Sequence, residues 1–228
     1  AEKDTRIEIT NKYGKIELNT WDKDSVIFEI SIRVEERKLS RLEKSMEQID
    51  FDFTDSQHYL IVRTRIGENM SALEKEFLRF KETILQSDGS MQIDYTVWLP
   101  NDRDLKVENK FGNIFIGDYI GDAEIDLSNG NLKSHDFEGR LDLTLNFADA
   151  TINQLKTGRL DCNYSNIYIK KAETLRVISK SSTYEIQEIN DLDTDSRRDK
   201  FRIIKADFID AQGSFSNFRI NELTDRLT

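Results

Sequence analysis

The sequence predicts an all-β chain: a single-stranded parallel β-helix, or β-solenoid, with coils of 17–18 residues and a minor two-helix elaboration. Three observations predict it. The first is a fixed period. Starting at Asn113, comparable positions recur at Asn131, Asp149, Asn166, Thr183, Lys200 and Asn217, in steps of 18, 18, 17, 17, 17 and 17 residues. The second is a set of apolar rows locked to these anchors. One residue after them stand Ile114, Leu132, Ala150, Ile167, Tyr184, Phe201 and Phe218, and three residues after them Ile116, Ser134, Ile152, Ile169, Ile186, Ile203 and Ile220. The third is that NKYGKIEL (Asn11–Leu18) mirrors NKFGNIFI (Asn109–Ile116), so a coil of the same kind opens the chain, with Lys15 as its anchor.

Each coil reads as two short strands. Before the anchors, Val107, Ile125, Leu143, Leu160 and Val177 form an apolar row, while Lys106, Glu124, Asp142, Arg159 and Arg176 lie one residue earlier in a polar row. That is period-two alternation, one side in and one side out. The inward phase slips by one residue between two before and one after the anchor, as a corner requires, and Asn, Gly, Ser and Asp cluster there. A single coil cannot bury its apolar side, whereas stacked coils bury a continuous core. An antiparallel meander of the same period needs turn residues at both ends of every strand. The second turn lacks them, as in Lys170–Lys171–Ala172–Glu173, which favours the solenoid.

Residues 101–228 hold about seven coils, and residues 1–100 the opening coil, long strands and the elaboration, the two parts being expected to form one continuous unit. Val26–Val34, Tyr59–Ile66 and Met91–Leu99 alternate as strands, the last ended by Pro100, which has no N–H for the ladder. Lys38–Ile49 and Ser71–Leu85 carry apolar residues at helical spacing. These helices are expected to cap the open end of the solenoid, where core and strand edges need cover.

Composition bounds the function. The chain has 228 residues, 37% hydrophobic and 33% charged, a lean core in which the periodicity and the single proline argue against disorder. A net charge of −10 disfavours nucleic acid and anionic membranes as partners. No apolar run is long enough for a membrane-inserted helix. The one cysteine, Cys162, falls on an inward position and reads as a small core residue, so cysteine usage leaves the compartment open. The sequence starts at Ala1 rather than Met, which leaves room for a trimmed export signal or tag.

Little in the sequence carries chemistry. With only His58 and His135, metal sites and histidine catalysis have little material, and no phosphate-binding Gly-rich loop occurs, so no cofactor, metal or catalytic residue is expected. Ser134, His135 and Asp136 are adjacent, which is not how a triad is assembled. Asp191, Asp193 and Asp195 imitate the start of a calcium loop but lack its Gly and its bidentate Glu, and read as a solvated face. The anchor residues Asn113, Asn131, Asn166 and Asn217 read as corner residues, in left-handed backbone or as a ladder of amides. Tyr13, Phe111, Phe147, Tyr164 and Phe215, two residues before their anchors, read as corner core. Phe115 and Tyr168 are the binding candidates, because their outward row is otherwise polar. They lie three coils apart, roughly 14–15 Å at about 4.8 Å per coil, a spacing for an extended ligand.

Two stretches carry a family resemblance. ITNKYGKIELNTWDKDSVIFEI (Ile9–Ile30) resembles the opening of the DUF4097 family of adhesin-like proteins common in Bacteroidetes, and YTVWLPNDRDLKVENKFGNIFIGD (Tyr95–Asp118) resembles its middle signature. The likeness covers nearly the whole chain except the two helical segments. It implies an exported β-solenoid of the cell envelope, in the periplasm, at the outer membrane or on the cell surface, with no catalytic residues to carry over. The expected function is therefore a non-enzymatic binding protein whose repetitive face meets a glycan or protein partner. A carbohydrate-active enzyme on the same scaffold, such as a polysaccharide lyase or hydrolase, and a structural module that self-associates are the alternatives.

Overall fold

The computed structural model describes residues 5–67 and 90–228, and the expected helix Ser71–Leu85 lies outside the described residues. The coils stack as parallel strands, which excludes the antiparallel meander. Five long strands, β10 (Asn131–Asn146), β11 (Asp149–Asn163), β12 (Asn166–Lys180), β13 (Thr183–Arg197) and β14 (Lys200–Ser214), each make one coil, and β15 (Asn217–Leu227) follows them. Every neighbouring pair is parallel and matched anchor to anchor: Asn131 with Asp149, Asn166 with Thr183, Thr183 with Lys200, Lys200 with Asn217. In earlier coils the two halves are separate strands. β1 (Arg6–Lys12), β7 (Leu105–Lys110) and β9 (Ala123–Ser128) lie before the anchor, and β2 (Ile16–Trp21) and β8 (Ile114–Ile116) after it.

The apolar rows face inward as the period requires. Ile7, Leu105, Leu143, Leu160, Ile169 and Ile186 are all buried in one core that runs the length of the stack. Tyr184, Phe201 and Phe218 stack inside it at 4.6 and 4.4 Å between ring centroids.

The first corner differs from expectation. The left-handed residue is not the anchor but the residue two before it. Tyr13, Phe111, Asn129, Phe147, Tyr164, Ser181, Arg198 and Phe215 all have φ between 53° and 66°. This inverts the side-chain direction, so these residues point outward and the small residue that follows points inward. The inward phase therefore breaks two positions earlier than the sequence suggests, and the aromatic rings are excluded from the core. A left-handed non-glycine residue costs on the order of 1 kcal/mol or more. Coil-to-coil hydrogen bonds through the corner offset that cost: the N–H groups of Phe111, Asn129 and Phe147 donate to the carbonyls of Ser128, Asn146 and Asn163 at 2.9, 3.1 and 3.0 Å. The inward-pointing residue is glycine in the early coils because backbone lies directly behind it. A Cβ on Gly130 would sit 1.9 Å from the Gly112 carbonyl oxygen.

The second corner has no turn chemistry because the strand bends there without breaking. In β11 to β14 the pairing continues straight through it, Ala172 with Ile189 and Thr174 with Asp191. The coils of 18 residues carry their extra residue at this corner, where the pairing of β10 with β11 shifts between Phe137 and Arg140.

The segment between β2 and β7 lengthens both sheets. Beyond β1 the first sheet adds β5 (Tyr59–Ile66), parallel, and then β4 (Ile49–Asp55), antiparallel. Beyond β2 the second sheet adds β6 (Ser90–Pro100), parallel, and then β3 (Ile27–Glu35), antiparallel. β5 and β6 match the expected strands, and β6 ends at Pro100. β4 has no counterpart in the sequence reading. The helix α1 (Leu39–Glu47) joins β3 to β4 and buries none of its side chains; Leu39 is 70% exposed.

Candidate functional site

The outward row holding Phe115 and Tyr168 is built by strand register. Phe115 pairs with Lys133, Lys133 with Thr151, and Thr151 with Tyr168. The two rings are three coils apart, and the structure does not bring them into one site. Tyr168 borders a shallow groove of about 370 Å³ together with Gln187, Ile204 and the Glu185–Arg202 ion pair. Gln187 Nε2 donates to Tyr168 Oη at 2.5 Å, and Arg202 reaches Glu185 at 2.7 Å. Phe115, 36% exposed, has Glu17 and Lys133 as its cross-strand neighbours instead.

A second groove, of about 400 Å³, is lined by Gly158, Leu175 and Leu192. Its rim carries Arg140, paired with Asp142, and Arg176, 3.6 Å from Asp193. On the same outward face nearer the N-terminus, Lys106 and Arg6 hold Glu124 at 2.8 and 2.7 Å. The hydrogen bond from Lys106 is the main reason that the Glu124 carboxyl titrates below its usual range. Carboxylates held by cations in this way remain ionised.

The exposed aromatic corner is the feature that sequence reasoning missed. Phe111, Phe147, Tyr164 and Phe215 are 48, 62, 49 and 86% exposed. Tyr13 stacks on Phe111 at 5.5 Å, and Phe147 on Tyr164 at 5.0 Å with planes only 2° apart. Lys12 Nζ lies 4.5 Å from the Tyr13 ring centre, a cation–π contact. A signal for this was present. Gly14, Gly112, Gly130, Ala148, Ser165 and Ser182 form a row of small residues just before the anchors. A row kept small marks close packing inward, and the aromatic residue preceding it then has to point out.

The remaining candidates are structural. The anchor residues form the side-chain ladder that was one of their two expected roles: Asn131 donates both its backbone N–H and Nδ2 to Asn113 Oδ1 at 3.0 Å, and Asn166 repeats this on Asp149 Oδ1. Ser134 points into the core while His135 points out, 3.7 Å from Asp118, so the two cannot work as a relay. Asp191, Asp193 and Asp195 alternate outward along β13 into solvent. Among the described residues no group of three His, Cys, Asp or Glu side chains is placed to hold a metal ion, and no helix is long and apolar enough to cross a membrane. No protein-family model matches the chain, and no curated protein matches it.

Proposed function

We propose that this protein is a non-enzymatic binding protein of the cell envelope, exported and adhesin-like in the manner of the DUF4097 family, whose coils present a repetitive surface to an extended glycan or a protein. The observation that carries this reading is the row of exposed rings at one corner, spaced by the coil-to-coil hydrogen bonds of the backbone. A folded protein gains nothing in its core from rings held in solvent, whereas rings spaced at the coil repeat suit a ligand that is itself long and repetitive. The outward Phe115 and Tyr168 add apolar contacts on the adjoining face.

The acids in the grooves support binding over hydrolysis. Glu185, Asp142 and Asp193 are each tied to an arginine, whereas the two carboxyl groups of a glycosidase must be free to flank the scissile bond. The test is a panel of bacterial and host polysaccharides and envelope proteins, with retention and released reducing or unsaturated ends followed together. Retention without products is the expected result. Products released at a rate that follows the protein concentration overturn the reading in favour of an enzyme.

A further inference from the structure

The corner ladder lacks a ring at Asn129, Ser181 and Arg198, and only Asn129 stands singly between two ring-bearing coils. Rings stand at Tyr13 and Phe111 on consecutive coils, and again at Phe147 and Tyr164, but the coil between the two pairs carries Asn129. Tyr13 covers one face of Phe111, and Tyr164 covers one face of Phe147, so the uncovered faces of Phe111 and Phe147 look toward each other across Asn129. The asparagine is exposed and shorter than either neighbour by a whole ring. What lies between is a slot with two aromatic walls and an amide floor.

Its width is set by the backbone. The N–H groups of Phe111 and Asn129 donate to the next coil at 2.9 and 3.1 Å, so both coil steps through the slot are hydrogen-bonded. Two steps put the walls about 9.6 Å apart. A six-membered ring inserted midway lies about 4.8 Å from each wall, inside the range of favourable ring stacking. The filled stacks elsewhere in the protein use the same interval, 4.4–5.5 Å between centroids.

We infer that the slot between Phe111 and Phe147, floored by Asn129, binds one pyranose ring of a neutral polysaccharide. The assignment rests on the binding-protein reading above and specifies its ligand. A pyranose turns C–H bonds, slightly positive, toward the negative face of each wall, and its hydroxyls lie at its rim. The Asn129 amide offers a donor and an acceptor at that rim. An aromatic side chain of a protein partner also stacks between the walls, but it has nothing to give the amide floor, which then loses its water without compensation. The preference for a sugar comes from the floor, and the preference for a ring comes from the walls.

The experiment measures affinity of the whole chain for a soluble β-1,3-glucan, a β-1,4-glucan and an α-mannan. Phe111→Ala and Phe147→Ala are each expected to weaken binding about tenfold, the size of one lost ring stack. The decisive variant is Asn129→Phe, which fills the slot with a ring of the protein's own. The corner already holds Phe or Tyr in the same backbone conformation on five other coils, so this variant folds. It is expected to abolish polysaccharide binding with an unchanged or raised Tm. Equal binding by Asn129→Phe, with loss on Phe115→Ala or Tyr168→Ala, overturns the slot and leaves the binding-protein reading standing. Binding of a tryptophan-containing peptide without any of the three polysaccharides overturns the sugar assignment, as does no binding at all.

Discussion

The side-chain amide of Asn109 donates to the backbone carbonyl of Gly14 at 2.9 Å, across 95 residues of chain. Asn11 makes the equivalent bond one coil earlier, to the carbonyl of Ile93 at 2.8 Å. Both amides are buried, and both satisfy a corner carbonyl of the coil stacked beside them. This is the physical content of the N-K-[YF]-G motif: a buried amide, an exposed lysine, a left-handed aromatic and a glycine too crowded for a Cβ. Removing the amide strands a buried acceptor. Asn109→Ala is expected to destabilise by about 1–3 kcal/mol. Asn113→Ala, which removes only a rung of the exposed ladder, is expected to cost less than about 1 kcal/mol. Urea denaturation of both variants checks the order, and equal losses contradict it.

Phe201 is buried between Tyr184 and Phe218 in the internal stack. Truncation to alanine removes two ring contacts and leaves a cavity that strands held by coil-to-coil bonds cannot close. Phe201→Ala is expected to cost about 3–5 kcal/mol. Phe215→Ala, whose ring is 86% exposed, is expected to change stability little. Thermal unfolding of the pair tests whether the corner break has been placed correctly, because a corner-core Phe215 predicts two losses of similar size.

Cys162 is fully buried, and burial pushes its thiol pKa up to about 12. Near pH 8 the thiolate, the form that reacts, is almost absent in the folded protein. Iodoacetamide is expected to leave native protein unmodified over hours at that pH and to label it fully in denaturant. Mass spectrometry of intact protein reads the outcome. Rapid labelling without denaturant contradicts the buried position.

Glu124 titrates below its usual range because it accepts hydrogen bonds from Lys106 and Arg6. A carboxylate whose pKa is lowered by folding contributes stability above its unfolded value, near 4.5, and loses it as pH falls through the lower folded value. The group is about half exposed, so solvent screening limits the effect to less than about 1 kcal/mol. Glu124→Gln is expected to lower stability slightly at pH 7 and to match the parent near pH 2. A difference that grows on acidification has the wrong sign and contradicts the ion-pair account.

Most of the solenoid was legible because its signals are periodic. The residue one after each anchor had to be apolar in every coil, so Ile114, Leu132 and Ile167 announced an inward row together. Phe111 and its equivalents were read as core because an aromatic residue next to an apolar row usually is. Only the backbone inversion at that position turns them out, and φ leaves its trace in the next residue rather than in the ring itself. β4 escaped for a different reason. Ile49–Asp55 alternates apolar with acidic residues over too short a span to stand apart from the helix before it. As for the candidate site, Phe115 and Tyr168 could be placed on one row from spacing alone. The slot beside Asn129 could not, because it is defined by a residue that is smaller than its neighbours.

The placement of β1 has a consequence for how the chain assembles. β1 does not lie at an edge; it is held between β5 and β7, just as β2 is held between β6 and β8. The opening coil therefore cannot be closed in on both sides until residue 116 is available to fold, since β8 ends there. Each later coil, by contrast, needs only its own 17 or 18 residues and a finished neighbour to dock upon. Assembly thus divides into one long step in which strands up to residue 116 wait for partners, followed by quick additions of one coil at a time.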